Sequence, residues 1–538
     1  MDVTFISYIC LLLIISLLVM VAQRLKISYP IVLVLGGLAL SFVPGLPSIE
    51  IEPDLIFVIF LPPLLYEAAW ETSWKDFWKW RRVISSFAFI IVIVTSCVVA
   101  LVSSSIIPGF TLALGFLLGG IISPPDAISA TSILSDLKVP KRLSSIIEGE
   151  SLLNDAASII VFRFALAAVL TGTFVFTQAA GSFFIVIIMG VVTGLAVALV
   201  FYAIHRWLPT TPSIDIVLTL VTPYIMYIVA ERFHFSGVLA VVSGGLFLSQ
   251  RQQTMLSPIS RIQGFNVWNI VGFVLNGLIF MLIGLELPVI VEQLGDASLA
   301  EAIKYSLIIS GTLIVCRLLC TFGASAFTMF ASHFITTADS NPGWRGPLLF
   351  GWAGMRGVVS LAAALSIPLY LHDQVPFPQR NLILFITFMV ILITLVFQGL
   401  TLPLLIRWVD MKDPDYLIPY HEQEVMVRKK LIKAALDLLT EKYPAELETN
   451  EWLRVFKIRL ENDLRMLESA PFSSLSGNME DSSIADLQKV LAEIITTQRA
   501  LLQKLNKKAE VDEDIIKKQL LLLDHEEKLR KQFYKLGG

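Results

Sequence analysis

Apolar stretches of membrane length, separated by short polar breaks, follow one another from the N-terminus to about residue 408. Thirteen can be delimited, at 3–23, 29–44, 52–71, 82–107, 110–137, 142–171, 179–206, 213–231, 235–250, 264–293, 301–333, 345–371 and 379–408. A helix needs about twenty mostly apolar residues to cross hydrocarbon. Inside lipid it must also satisfy its own backbone. The pattern predicts an all-α polytopic membrane protein with about 13 transmembrane helices over residues 1–410. After Asp410 the period changes. Residues 420–443, 450–469, 484–508 and 510–536 read as amphipathic helices of mixed charge, with a loop at 470–483. This predicts a helical C-terminal domain over 411–538 with scope for coiled-coil pairing.

Two of the stretches are interrupted. The fifth contains Ser123-Pro124-Pro125-Asp126, where two prolines remove backbone donors and cannot continue a helix. The twelfth contains Gly351-Trp352-Ala353-Gly354-Met355-Arg356-Gly357, rich in glycine and charged. The twelfth is the fifth of a second set beginning at the eighth. Two inverted six-helix repeats joined by the seventh span would give this spacing. Broken helices in matching places point to an ion site near mid-membrane, with free carbonyls and half-helix dipoles facing it.

Composition agrees with a membrane chain. Of 538 residues 55% are hydrophobic and 16% charged, and about half of the charges follow Asp410. The mean hydropathy is +0.74. The net charge of −3 and the absence of a basic patch give no indication of nucleic acid. Arg24, Lys26, Lys75, Lys79, Arg81, Arg82, Lys138, Lys141, Arg142, Arg206, Arg251, Arg261, Arg345 and Arg407 follow odd spans. Even spans are followed by little beyond Arg232, Lys304 and Arg380. The positive-inside rule then places the N-terminus outside and the C-terminal domain in the cytoplasm. Val3 to Ala22 lacks a basic leader and a cleavage site, and reads as a retained first span. Cys10, Cys97, Cys316 and Cys320 all lie in apolar spans, so no disulfide framework or zinc pattern is expected.

The candidate chemistry is concentrated in Glu148-Gly149-Glu150-Ser151-Leu152-Leu153-Asn154-Asp155, within the sixth span. A carboxylate at membrane depth is costly and marks function by default. Ser151, Asn154 and Asp155 share one helical face. Asp126 follows the break one span earlier, so two carboxylates, the Ser151 hydroxyl and a carbonyl near Pro125 could share a hard monovalent cation. Oxygen ligands suit such an ion. The structural alternative is a pair of satisfied carboxylates capping broken helices. Asn154 cannot titrate, so one proton would exchange for one cation, without net charge movement. Alternatively, Asn154 only bonds the broken backbone. Glu150 and Arg356 are candidates for a buried ion pair. Arg163 and Arg317 are also intramembrane, with Glu148 or Glu286 as available partners. Glu67 would line the cytoplasmic approach or sit as an interfacial carboxylate beside Trp70, Trp74, Trp78 and Trp80. His205, His234 and His333 lie at span ends and read as headgroup-level residues.

With these residues in place, the chain resembles the sodium/proton exchanger family, the monovalent cation:proton antiporters. The matching pieces are Phe60-Leu61-Pro62-Pro63, Ser123-Pro124-Pro125-Asp126, Gly149 through Asp155, Phe273-Val274-Leu275-Asn276-Gly277 through Ile283-Gly284-Leu285, and Gly354-Met355-Arg356-Gly357. They run in family order over roughly residues 1–410. The resemblance implies a homodimer, dimerisation helices from spans one to three and seven to ten, and an elevator-like core from spans four to six and eleven to thirteen. It implies that Asp155 binds ion and proton, that Asp126 and Ser151 contribute, that Glu150 pairs with Arg356, and that Asn154 marks the electroneutral branch. Pro125 stands where some relatives have Thr or Val, which bears on selectivity. No cofactor is expected beyond the transported cation and proton. The expectation is an electroneutral sodium/proton antiporter of a bacterial inner membrane, with potassium/proton exchange, a cation channel or a membrane sensor as rivals. An enzyme reading has no catalytic pair to support it.

Overall fold

The computed structural model describes residues 3–43, 58–134, 137, 139–172, 176–292, 294, 298–333, 343–371, 375–411, 420–469, 495–502, 519 and 523. The chain divides into two compact units, Met1–Asp413 and Pro414–Gly538. The beginning of the third expected span, the loop at 470–483 and nearly all of the helix at 510–536 lie outside the described residues.

In the first unit the regular structure among the described residues is helical, with one isolated bridge between Tyr370 and Pro376. The helices are α1 Val3–Leu25, α2 Tyr29–Ser41, α3 Leu61–Glu71, α4 Trp74–Ile106, α5 Leu112–Ile122, α6 Ala127–Leu134, α7 Lys141–Thr171 and α8 Phe176–Trp207. They continue as α9 Pro212–Arg232, α10 Gly237–Met255, α11 Pro258–Glu292, α12 Leu299–Ala331, α13 Arg345–Trp352, α14 Val358–Leu365 and α15 Arg380–Val409. Helices thus occupy every stretch marked out by hydropathy. Eight spans among the described residues are long and apolar enough to cross a membrane unaided, the joined pair α5–α6 (Leu112–Leu134) among them. α1 and α2 are shorter as apolar helices, and α13 and α14 are the halves of the other interrupted stretch.

Local chemistry sets the ends. Thr111, Thr211 and Ser236 accept from the amides of Leu114, Ile214 and Leu239, capping α5, α9 and α10. Gly172 closes α7 with φ of 69°, a left-handed conformation that costs glycine little. α4 and α15 each carry a π-helical turn, at Ser86–Ile91 and Thr394–Gln398. Such turns often mark functional positions.

Packing relies on small residues, because apolar side chains gain nothing by leaving lipid. α2 and α11 meet backbone to backbone: a Cβ on Gly37 would lie 2.3 Å from the Met281 carbonyl oxygen, and one on Gly284 would lie 2.2 Å from that of Val34. Gly194 of α8 approaches Ala240 of α10 in the same way. Three apolar clusters result. One joins α1, α2 and α11 to α5, α14 and α15. A second gathers α3, α8, α9 and α10. A third joins α4, α6, the start of α7 and α13.

The second unit contains α16 Tyr420–Lys442, α17 Pro444–Thr449 and α18 Glu451–Ser469. α16 lies against α18, where Lys433 reaches Glu468 at 3.5 Å. Trp452, Val455, Phe456 and Ile458 of α18 are exposed.

Candidate functional site

The two interruptions meet. The Asp126 amide donates to the Met355 carbonyl at 2.7 Å, so the break between α5 and α6 bonds directly to the break between α13 and α14. Prolines 124 and 125 leave carbonyls at the end of α5 without helical donors. Arg356, fully buried, supplies them. Its Nε donates to the Ile122 carbonyl at 2.9 Å and its Nη2 to that of Ser123 at 3.3 Å, while Nη1 reaches Gly354. A cation at a helix C-terminus also meets the negative end of the dipole. Its own amide donates to Thr394 Oγ1 in the π-turn of α15 at 3.1 Å.

Asp126 opens α6. Its Oδ1 accepts the Ile128 amide at 3.0 Å and its Oδ2 accepts the Ser129 hydroxyl at 2.9 Å, as an N-terminal cap does. The Ser151 Oγ on α7 accepts the Ala127 amide at 3.2 Å. Asn154, completely buried, donates its amide to the Pro125 carbonyl at 2.9 Å. Ser158 donates to the Gly120 carbonyl at 2.5 Å. Polar side chains of α7 thus hold both halves of the broken helix. The cluster expected from Asp126, Ser151, Asn154, Asp155 and Pro125 is brought together around this crossing.

Asp155 differs from its neighbours. It is 6% exposed, and no hydrogen-bond donor among the described residues reaches its carboxylate. Asp126 lies within electrostatic reach of it. Of the polar side chains around it, Asp126, Ser151 and Asn154 each make at least one hydrogen bond, and the Asn154 Oδ1 is buried without a donor among the described residues. Among the described residues no cluster of three or more His, Cys, Asp or Glu is placed to hold a metal ion.

The ion pair expected between Glu150 and Arg356 is not formed. Glu150 pairs with Arg317 of α12 through two parallel bonds, Nη1–Oε1 at 2.8 Å and Nη2–Oε2 at 2.9 Å. Both side chains are almost wholly buried. The physical reason is that Arg356 is already committed to the carbonyls of α5, whereas Arg317 can present the planar fork that matches a carboxylate. Glu148 and Glu286 are therefore not the partners of Arg317. The Arg317 side chain crosses Gly354, where a Cβ would lie 2.2 Å from its Nε. Arg163 pairs with Glu231 of α9 at 2.5 Å.

Glu67 stands on α3, with its carboxylate against Gly272 of α11. Tyr29, at the start of α2, is within electrostatic reach of both Glu67 and Asp126. His205 lies in the last turn of α8, at the span end expected for it, and is engaged within the protein. It is buried, with Nδ1 2.9 Å from Asp215 Oδ1, and Ser260 donates to Asp215 Oδ2 at 2.7 Å. Residues the sequence did not single out are Ser129, Ser158 and Thr394. Each is a hydroxyl in an apolar span, a signal shared with many helix-internal serines that bond only their own helix.

Gly357 presses on the Asp126 carboxylate: a Cβ there would lie 2.2 Å from Oδ2. Gly357→Ala is expected to push the carboxylate off the start of α6, costing about 1–3 kcal/mol as overpacking does. Thermal unfolding in detergent measures it. Gly311→Ala, with nothing within 4 Å of the new Cβ, serves as the control. Equal melting temperatures for the two variants would remove Gly357 from this contact.

The comparisons with known proteins follow the same outline. A family model described as sodium/hydrogen exchanger, transmembrane, matches residues 10–408. The chain is 33% identical to a sodium, potassium, lithium and rubidium/H(+) antiporter of Bacillus pumilus, over 80% of this chain and 64% of that one. It is 34% identical to the protein of that description from Bacillus subtilis, over 76% of this chain and 61% of that one. It therefore spans a little under two thirds of the length of these two relatives. The low-affinity Na(+)/H(+) antiporter NhaS1 of Synechocystis is 34% identical, over 72% and 70% respectively. In fold, the sodium proton antiporter MjNhaP1 of Methanocaldococcus jannaschii is similar with a TM-score of 0.61 at 18% identity, covering 76% of this chain and all of that one.

Proposed function

The chain belongs to the sodium/hydrogen exchanger family, and we propose that it is an antiporter exchanging one monovalent cation for one proton across a bacterial inner membrane. The observation that carries this reading is Asp155, a buried carboxylate left without a hydrogen-bond partner where its neighbours are engaged. The mechanism is competition. Asp155 holds either a proton or a cation, with Asp126, Ser151 and the Pro125 carbonyl as further oxygens and Glu67 on the approach. A bare carboxylate is too costly to carry through the apolar barrier. Empty return is therefore suppressed and the two fluxes are coupled. Asn154 fixes the Pro125 carbonyl and brings no second titrating group, which supports electroneutral exchange.

The wider reading is an elevator. Thirteen crossings form two inverted repeats, with the N-terminus outside. α1–α3 and α8–α11 form the dimerisation scaffold of a homodimer, and α4–α7 with α12–α15 form the moving core. A second reading, potassium/proton exchange on the same scaffold, is favoured by the printed description of the Bacillus relatives.

Purified protein in vesicles loaded with a pH-sensitive dye tests this. Addition of sodium should relax a preset proton gradient. The rate should not change when the membrane potential is clamped with potassium and valinomycin. Acceleration by voltage would overturn the one-for-one stoichiometry, and no response to any alkali cation would overturn the antiporter reading. Comparing sodium with potassium decides between the two cargoes.

The tail from about residue 411 tunes transport, because the candidate ligands all precede it. Truncation near residue 420 should leave exchange detectable, with a shifted pH profile or a weaker dimer. A truncated protein that is inserted, folded and inactive from pH 6 to pH 9 would place the tail within the transport machinery.

A further inference from the structure

The helices that hold the carboxylates form one bonded body. α6 is tied to α7 through Ala127–Ser151 and Pro125–Asn154, and to the second break through Asp126–Met355. α2 belongs to another body, locked to α11 where Gly37 faces Gly284. Much of the seam between the bodies is apolar: Ile31, Leu33, Val34, Ile279 and Ile283 share a cluster with Leu117, Ile121 and Leu361. Apolar contacts carry no direction and permit one surface to slide over another. A hydrogen bond does carry direction, and it must break before the surfaces can move.

Such a bond crosses the seam at Ser28, in the turn before α2. Its hydroxyl is 2.7 Å from that of Ser132 on α6, 104 residues away. Asp126, Ser129 and Ser132 follow one another at a spacing of three, so they lie along one side of α6. Ser129 bonds Asp126, and Ser132 bonds the Ser129 carbonyl. Asp126, Ala127, Ile128, Thr131, Ser132 and Ser28 are only half-buried, in contrast to the fully buried α5 residues Leu117–Ile122 that precede them. A hydroxyl-lined track therefore leads from Asp126 to the Ser28–Ser132 contact, about 9 Å along the helix at six residues.

On the other side of the carboxylates the seam is crossed again. Arg163 lies eight residues beyond Asp155 on α7, about 12 Å further along, and pairs with Glu231 of α9. Glu231 is itself anchored to α10 by the Gly237 amide at 3.1 Å. α6 runs into the start of α7, so Ser132 lies toward the beginning of α7 and Arg163 toward its end. The two bonds bracket the carboxylates from opposite faces.

We propose that the Ser28–Ser132 contact is the closing contact on the face where α6 runs into α7, the cytoplasmic face in the reading above, and that it must part for the cation to pass between that face and Asp155. The proposal rests on the antiporter reading. A hydroxyl pair suits this task, because a neutral hydrogen bond is modest in water-accessible surroundings and water or a passing cation can replace either partner. The charged Arg163–Glu231 bond serves the opposite face.

The test is a reversible lock in the full chain. Ser28→Cys with Ser132→Cys should exchange cations under reductant. After oxidation it should slow at least tenfold and recover when reductant is returned, with the parent chain and its four native thiols unaffected by the same treatment. Peptide mass spectrometry confirms the crosslink. A fully crosslinked protein that exchanges at its reduced rate overturns the proposal, as does failure of the two thiols to crosslink in a folded, active protein. Should the pair of cysteines prevent folding, labelling of Ser132→Cys alone by a charged thiol reagent gives the second readout. Adding Ser28→Ala should raise its labelling rate at least threefold, and an unchanged rate overturns the proposal. A parent chain that exchanges no cation refutes the antiporter reading instead, so the two failures are distinguishable.

Discussion

Asp155→Asn should lower proton-coupled cation exchange by at least about 100-fold and leave the melting temperature within a few degrees of the parent. A hundredfold corresponds to about 2.7 kcal/mol, comparable to the cost of one charge at the centre of a bilayer on insertion scales. The substitution removes the group that alternates between proton and cation. Asn is already neutral, so the core could cross empty and the two fluxes would uncouple. Stability should hold because the carboxylate makes no hydrogen bond with the described residues that the amide would break. Dye-loaded vesicles and thermal unfolding measure the two parts. Sodium-driven proton flux at the parent rate would eliminate Asp155 as the exchanging group. Asp126→Asn should behave differently. Its carboxylate caps α6 through Ile128 and Ser129, and Asn caps a helix about as well as Asp, so the variant should lose cation affinity with the melting temperature little changed.

Arg317→Ala should destabilise the protein by about 3–5 kcal/mol, the usual consequence of leaving one charge of a buried pair unpaired. Glu150 is 1% exposed and would have no comparable cation donating to it, because the Arg356 guanidinium faces the carbonyls of Ile122, Ser123 and Gly354. The double change Glu150→Gln with Arg317→Gln should recover much of the loss, since no isolated charge then remains. A double-mutant cycle of Glu150 with Arg356 gives the contrast. Arg356 lies within electrostatic reach of Glu150 but does not bond it, so its coupling should be the smaller. Stronger coupling to Arg356 than to Arg317 would restore the pairing expected from sequence.

The sequence made much of the fold and the site legible. Hydropathy located the helical stretches because lipid leaves the backbone no alternative to helix. Pro124 and Pro125 located the first break because proline has no amide to donate. The glycines and the charge of Gly354-Met355-Arg356-Gly357 located the second. The helical period put Ser151, Asn154 and Asp155 on one face of α7. Where inference failed, it failed between helices. Arg317 and Arg356 are both lone arginines in apolar spans, and sequence supplies no distance from either to Glu150. The space over Gly354 that lets Arg317 through, and the carbonyls that draw Arg356 away, exist only once α5, α7, α12 and the second break are in contact. The partner of His205 was hidden for the same reason: its place at the end of a span was legible, but Asp215 and the Ser260 that donates to it come from two later helices.

By itself, then, the sequence determined what each segment must be, because burial in lipid and proline or glycine backbone chemistry act within a few residues of chain. It also showed a titratable carboxylate beside a neutral amide in the middle of a helix of membrane length. Only the tertiary structure decided which buried charge neutralises which, that Asp126 is a helix cap as well as a ligand candidate, and that no donor among the described residues reaches the Asp155 carboxylate. Those outcomes depend on angstrom-scale distances between segments far apart in sequence, Ser28 and Ser132 or Glu150 and Arg317, and the balance of desolvation against pairing is set by those distances.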